Sequence, residues 1–124
     1  MIVYPLDADP TDADFLDLGD PGGLGGRVLD GSPRVTARID FQGRGMMAGI
    51  LEYTRGRIEI TSPFTEHATI LSGELTVTDA DGRSHDYGPG DSYFVRQGEV
   101  ITWEVKSDRV RKSFFSLTED WQPS

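Results

Sequence analysis

The feature that most constrains this chain is a series of short alternating segments, each ended by a turn signal, running from residue 34 to residue 117. Arg34-Val35-Thr36-Ala37-Arg38-Ile39-Asp40-Phe41 alternates polar with apolar side chains, the two-residue period of a half-buried strand. A second apolar run covers 46–53, and Thr54-Arg55-Gly56 reads as a turn leading into the alternating segment 57–61. Segments 67–71 and 74–78 follow, the latter closed by Asp79-Ala80-Asp81-Gly82. Beyond them lie 84–87, the corner Gly88-Pro89-Gly90-Asp91, and the segments 92–95, 100–105 and 109–117. About nine short strands at this spacing predict an all-β sandwich or barrel. The one stretch compatible with a helical turn is 116–121.

Residues 1–33 differ in character. After Met1-Ile2-Val3-Tyr4 the chain is acidic and rich in Gly and Pro, from Asp7-Ala8-Asp9-Pro10 to Gly22-Gly23-Leu24-Gly25-Gly26. Glycine clusters of this density do not hold a helix. Nor do they form a phosphate loop, because the lysine and the flanking strand and helix are absent. We expect 1–33 to be an irregular arm packed on a barrel formed by 34–124, with Ile2, Leu16 and Leu24 as its anchors. A chain of 124 residues is of single-domain size, and a hydrophobic fraction of 36% suffices for a packed core.

The charge balance excludes some partners. Twelve Lys and Arg face 21 Asp and Glu, a net charge of −9 that repels phosphate backbones and anionic lipid, so neither nucleic acid nor a membrane surface is an expected partner. There is no cysteine, hence no disulfide, thiolate ligand or thiol nucleophile. No apolar run reaches the length of a membrane span or a signal-peptide core, and the expected location is cytoplasmic.

Three segments carry a resemblance. Glu66-His67-Ala68-Thr69-Ile70-Leu71-Ser72-Gly73-Glu74 resembles part of the first motif of the cupin family. Gly88-Pro89-Gly90-Asp91-Ser92-Tyr93-Phe94-Val95, with Gly98, resembles its second. Thr102-Trp103-Glu104-Val105 followed by Val110-Arg111-Lys112-Ser113-Phe114 is similar to the ending of the small cupins related to ureidoglycine aminohydrolase and ethanolamine-utilisation proteins. The likeness covers about residues 35–115 and implies an RmlC-like jelly-roll barrel, or double-stranded β-helix, of bacterial type. It also leans toward a homodimer, as do the apolar arm and Met46-Met47 on a strand read as an edge.

The departures bear on chemistry. Metal-binding cupins place a His-x-His pair before the motif glutamate and another histidine after the second motif. Here Glu59-Ile60-Thr61-Ser62-Pro63-Phe64-Thr65 and Glu99-Val100-Ile101-Thr102-Trp103 contain none, and Arg96 stands where the second motif has proline. Glu66 alone remains of the ligand set, so no metal cofactor is expected.

Strand alternation puts Glu66, Ala68 and Ile70 on one face and His67, Thr69 and Leu71 on the other. With Glu66 inward, as the resemblance implies, His67 is a surface or interface residue, and His85 beside its turn is solvent-exposed. Lys112 shares a face with Val110, Phe114 and Ser116. A lysine inside a barrel must pair with a carboxylate or lose its proton, and Glu66 is the natural partner. The couple either moves a proton on a bound substrate or is a structural ion pair fixing the last strand. Arg57, Glu59 and Thr61 share a face that lines the pocket mouth or is simply the wet side of a strand. Trp103, with Ile101 and Val105 as face-mates, is core first and pocket wall second. Ala68 and Phe114 complete the residues expected beside the ligand. Only one of Tyr93 and Phe94 can face inward.

Two functions follow as expectations. One is a stand-alone barrel holding a small polar molecule, acting as a metal-independent isomerase, lyase or amidohydrolase-like enzyme through Glu66 and Lys112. The other is a non-catalytic small-molecule-binding or accessory module.

Overall fold

The computed structural model describes residues 1–6, 15–21 and 26–119. Within them the regular structure is nine strands: β1 (Leu16–Gly19), β2 (Gly26–Gly31), β3 (Val35–Gly43), β4 (Met46–Thr61), β5 (Thr65–Ser72), β6 (Leu75–Thr78), β7 (Ser84–Tyr87), β8 (Ser92–Val95) and β9 (Val100–Leu117). Every pairing is antiparallel. None of these residues forms a helix long and apolar enough to cross a membrane.

Two long strands organise the fold. The first part of β4 and the last part of β9 lie in the order β1-β3-β4-β9-β5-β8, while their other parts pair with β2 and with β6-β7. Each long strand therefore belongs to two sheets, whose inner faces close on one another as a jelly-roll barrel. The strands cross between sheets at a bulge, where Thr54 pairs with Arg109 but Gly56 pairs with Val105. That irregularity reverses the alternation. Tyr53 is buried before it and Ile58 and Ile60 after it on β4; Val110, Lys112 and Phe114 on β9 answer Ile101, Trp103 and Val105. The Thr54-Arg55-Gly56 turn expected from sequence is thus a bulge inside one strand. Pairing with β9 on both sides overrides the local turn signal. Gly56 is required there, since a Cβ would lie 2.8 Å from the Pro33 ring.

A true hairpin joins β3 to β4 through Arg44 (φ 55°) and Gly45 (φ 77°), both left-handed as a two-residue type I′ turn demands. At the other end β9 continues through Ser116 to Leu117, so pairing with β4 and β5 claims the start of the stretch read as a helical turn. Residues beyond 119 lie outside the described ones.

The arm is less irregular than expected: β1 adds to β3 and β2 adds to β4. Its anchors also differ. Ile2 is 51% and Leu16 63% exposed, and Leu24 lies outside the described residues. Pro21 and Pro33 are the fully buried members, and Phe15 stacks 5.2 Å from the Arg111 guanidinium. Nor is β4 an edge strand, because β2, β3 and β9 flank it; Met47 faces inward against the core.

Candidate functional site

The inner face of the larger sheet is laid out in cross-strand rows. Met47, Ser116, Glu66 and Val95 form one row, Phe114, Ala68 and Tyr93 the next, and Leu51, Lys112 and Ile70 a third. From the opposite sheet Ile58, Trp103 and Val77 face them. Alternation alone delivers these side chains to the interior, and the long lysine stem crosses the row between Lys112 and Glu66.

There the lysine is fully engaged. Its Nζ donates to Glu66 Oε2 at 2.9 Å and to the Tyr93 hydroxyl at 2.7 Å, and it lies 4.0 Å from the centroid of the Trp103 ring. Lys112 is 1% exposed and Glu66 8%. Trp103 packs edge-on against Tyr53, with ring centroids 4.7 Å apart. Burial lowers the proton affinity of Lys112, and the Glu66 carboxylate opposes that shift only in part. Burial and the same carboxylate push the Tyr53 and Tyr93 phenols well above their usual range, so both stay protonated.

A cavity of about 310 Å³ opens beside this couple. Glu66 lines it, whereas Lys112 sits behind Glu66 and Trp103 and does not. Ile39, Met47, Leu51, Val95 and Ile101 supply apolar wall, with Phe114 and Trp103 as aromatic wall. Leu18 of the arm, with Pro63 and Phe64 of the β4–β5 loop, borders the mouth. That loop is held by Ser62, whose amide donates to the Glu99 carbonyl at 2.8 Å and whose hydroxyl donates to the Phe64 carbonyl at 2.6 Å. Two buried polar atoms of the lining have no hydrogen-bond partner: Trp103 Nε1 and Ser116 Oγ. Buried polar groups are nearly always satisfied, so two orphans among the residues of one cavity stand out. The lining is apolar over most of its area, with Tyr53, Ser62, Glu66, Trp103 and Ser116 as its polar members.

The sequence-derived site residues thus separate. Glu66, Trp103 and Phe114 line the cavity, and Lys112 lies behind them against Glu66. Ala68 is 1% exposed and packed in the core between Phe114 and Tyr93, outside the lining. Arg57, Glu59 and Thr61 point outward, as the opposite face of β4 from Ile58 and Ile60. Glu59 pairs there with Arg27 of β2 at 3.2 Å. These three are the wet side of a strand, and the bulge at 54–56 fixes that side. His67 and His85 are both exposed. Tyr93 faces inward and Phe94 outward, 62% exposed. Tyr93 as second partner of Lys112 and the orphan hydroxyl of Ser116 are the functional features that sequence reasoning missed. The face shared by Ser116 and Lys112 was the available signal.

The sequence model of the EutQ-like cupin domain matches residues 42–114, more than half of the chain. The chain belongs to this cupin family. Among solved structures, EutQ of Clostridium difficile superposes with a TM-score of 0.64 at 22% identity, covering 92% of this chain and 83% of that one. An ethanolamine-utilisation protein Q from Salmonella typhimurium gives 0.58 at 23% identity, covering 83% and 93%. A protein of unknown function from Pseudomonas syringae pv. tomato gives 0.69 at 17%, covering 82% of this chain and 43% of that one. These likenesses establish the fold. No curated protein matches the chain.

The donor set of this cupin does not fit the metal its wider superfamily holds. Among the described residues Glu66 is the one carboxylate in the lining, His67 lies on the opposite face of β5, and the Lys112 amine already sits against Glu66. Among the described residues no three His, Cys, Asp or Glu side chains converge. A divalent ion at Glu66 would meet a fixed positive charge and lack further anionic or imidazole ligands.

Proposed function

We propose that this cupin binds a small molecule in its barrel and acts on it by proton transfer, without a metal, in the manner of an isomerase, lyase or amidohydrolase. The observation that supports the reading most is the position of Glu66, on a mainly apolar cavity and backed by the buried Lys112 amine. Glu66 is the group a ligand would touch and so the candidate general base. Lys112, which donates to both Glu66 and the Tyr93 hydroxyl, is the positioning residue that holds the carboxylate aimed. In a site of low dielectric a proton taken by Glu66 leaves Lys112 as the compensating charge.

The test is incubation of the protein with a metabolite extract, followed by mass spectrometry, for wild type and Glu66→Gln. Conversion by wild type alone, to a product of equal mass or differing by water or ammonia, is the expected result. Enrichment of a compound without conversion would instead make this a binding or accessory module. An extract that gives no enrichment and no conversion overturns the reading.

We also propose that the protein is a homodimer. The outer face of the larger sheet carries one cross-strand row of Phe41, Ala48, Phe115, His67 and Phe94. The three phenylalanines are 50, 44 and 62% exposed in the order Phe41, Phe115, Phe94. In a chain of net charge −9 this row holds no carboxylate, so two copies can approach along it without repulsion. A two-fold interface uses one such patch twice. Sedimentation should give a dimer, reduced to monomer by Phe94→Ser with Phe115→Ser; a monomeric wild type refutes it.

A further inference from the structure

The cavity specifies what kind of molecule it holds. Among the described residues its lining contains one carboxylate, Glu66, and no basic side chain, and Glu66 already pairs with Lys112. An anionic ligand would place its charge against the carboxylate with no free cation to receive it. A cationic ligand would compete with an ammonium that is fixed in place by Glu66, Tyr93 and the Trp103 ring. Burying either charge without a partner is costly, whereas a neutral ligand avoids that cost.

Hydrogen-bond chemistry narrows the class further. The indole nitrogen of Trp103 can only donate, and the Ser116 hydroxyl can donate or accept. Both are buried and unpartnered, while the ionised Glu66 can only accept. A group that satisfies all three presents an acceptor to Trp103 and Ser116 and a donor to Glu66. Ser116 pairs directly with Glu66 across β9 and β5, so the orphan hydroxyl and the carboxylate are next-door neighbours in one row. Beyond these three, Tyr53 and Ser62 are the other polar members of a lining that is otherwise apolar. In size, a cavity of about 150 Å³ holds benzene, so 310 Å³ suits a molecule of roughly twelve non-hydrogen atoms.

We propose that the ligand of this barrel is a neutral molecule, apolar over most of its surface, whose single polar end sets a carbonyl oxygen beside an N–H or O–H donor. The carbonyl takes the Trp103 and Ser116 donors, and the N–H or O–H faces Glu66. This rests on the reading of Glu66 as the group the ligand meets, and it names the substrate class of that same site.

The experiment is calorimetric titration with four probes on one skeleton: cinnamamide, cinnamate, cinnamylammonium and β-methylstyrene. Cinnamamide should bind at least about 10-fold more tightly than either charged probe. It should also bind about 3- to 10-fold more tightly than the hydrocarbon, the worth of one or two net hydrogen bonds. Ser116→Ala should erase most of the margin over the hydrocarbon while leaving hydrocarbon binding unchanged. Trp103→Phe should do the same if it folds, and Ser116→Ala keeps the test decisive if it does not. A charged probe that matches cinnamamide overturns the proposal. So does a hydrocarbon that matches it, or a Ser116→Ala protein that keeps the full margin. In each of these the cavity still binds, so the reading of the barrel as a ligand site survives. Binding of none of the four at millimolar concentration overturns the proposal as well. If the metabolite extract then yields no ligand, the site reading falls with it.

Discussion

Two neighbouring residues of β9 make nearly the same interaction on opposite faces of the sheet. Arg111, 2% exposed, pairs with Glu52 on the outer side and stacks under Phe15 of the arm. Lys112, 1% exposed, pairs with Glu66 on the inner side and stacks under Trp103. Each is a buried cation with a carboxylate and an aromatic ring, and burial alone does not tell them apart. What differs is the surroundings. Arg109 adds a second cation on Glu52, and the arm covers the pair. Glu66 instead borders a cavity with two orphan donors. The cations differ too, since a guanidinium keeps its proton at any accessible pH and a buried ammonium can release it. The outer pair thus has the properties of a fastener, and the inner one those of a site.

The largest expected effect tests that contrast directly. Removing one partner of a buried pair leaves a stranded charge, typically costing about 3–5 kcal/mol. Glu66→Gln should lose stability on that scale at pH 7, and Glu52→Gln should lose stability as well. Their pH dependence should differ. Lys112 already has a folded proton affinity below its unfolded one, and loss of Glu66 removes the groups that raise it. The unfolded chain then binds more protons in the window below the ordinary lysine pKa of 10.5, so stability rises with pH through the folded value. The deficit of Glu66→Gln relative to wild type should therefore shrink between pH 7 and pH 10, while that of Glu52→Gln persists because Arg111 cannot deprotonate. Denaturant titrations at the two pH values check this. Equal deficits at both would make the two pairs equivalent and remove the reason to single out Lys112.

A smaller effect is expected from Lys112→Met. Here the group left behind is a carboxylate, which can take up a proton and become neutral. Burial disfavours the charged form of a carboxylate that has lost its cation, so the variant's deficit relative to wild type should be no larger at pH 5 than at pH 7. Its deficit at pH 7 should be below that of Glu66→Gln at the same pH. A Lys112→Met protein whose stability falls on acidification from pH 7 to pH 5 more steeply than that of wild type would contradict the role given to Glu66.

How much of this was legible in the sequence follows from the same alternation. Segments with period two predict an all-β sandwich or barrel and group Glu66 with Ala68 and Ile70, and Lys112 with Phe114 and Ser116, while the cupin resemblance implies which of those faces turns inward. What the residues did not carry was where alternation breaks. The bulge at 54–56 looks like a turn locally and is a strand only because β9 pairs along both of its sides. That break sets which side of β4 is wet, so the fate of Arg57, Glu59 and Thr61 depended on a tertiary pairing. The cavity was equally illegible. Whether Ser116 meets a partner or an empty volume depends on how the two sheets close on each other, and no local pattern encodes that distance.

The smallest expected effect concerns that outer face. Arg27 and Glu59 are 71% and 38% exposed in their side chains, and their contact at 3.2 Å lies in water of high dielectric. Such pairs gain little because solvent screens them and two long side chains must be held in one geometry. Glu59→Gln should change stability by no more than about 0.5 kcal/mol. Since Glu59 lies on the far side of β4 from the cavity, the variant should also bind cinnamamide as wild type does. Salt provides the internal control. At 1 M the screening length falls to roughly 3 Å, so whatever difference exists at low salt should vanish. A loss of cinnamamide affinity in Glu59→Gln would mean that the outer face of β4 communicates with the barrel interior, and that the bulge transmits between the two sheets instead of merely reversing their faces.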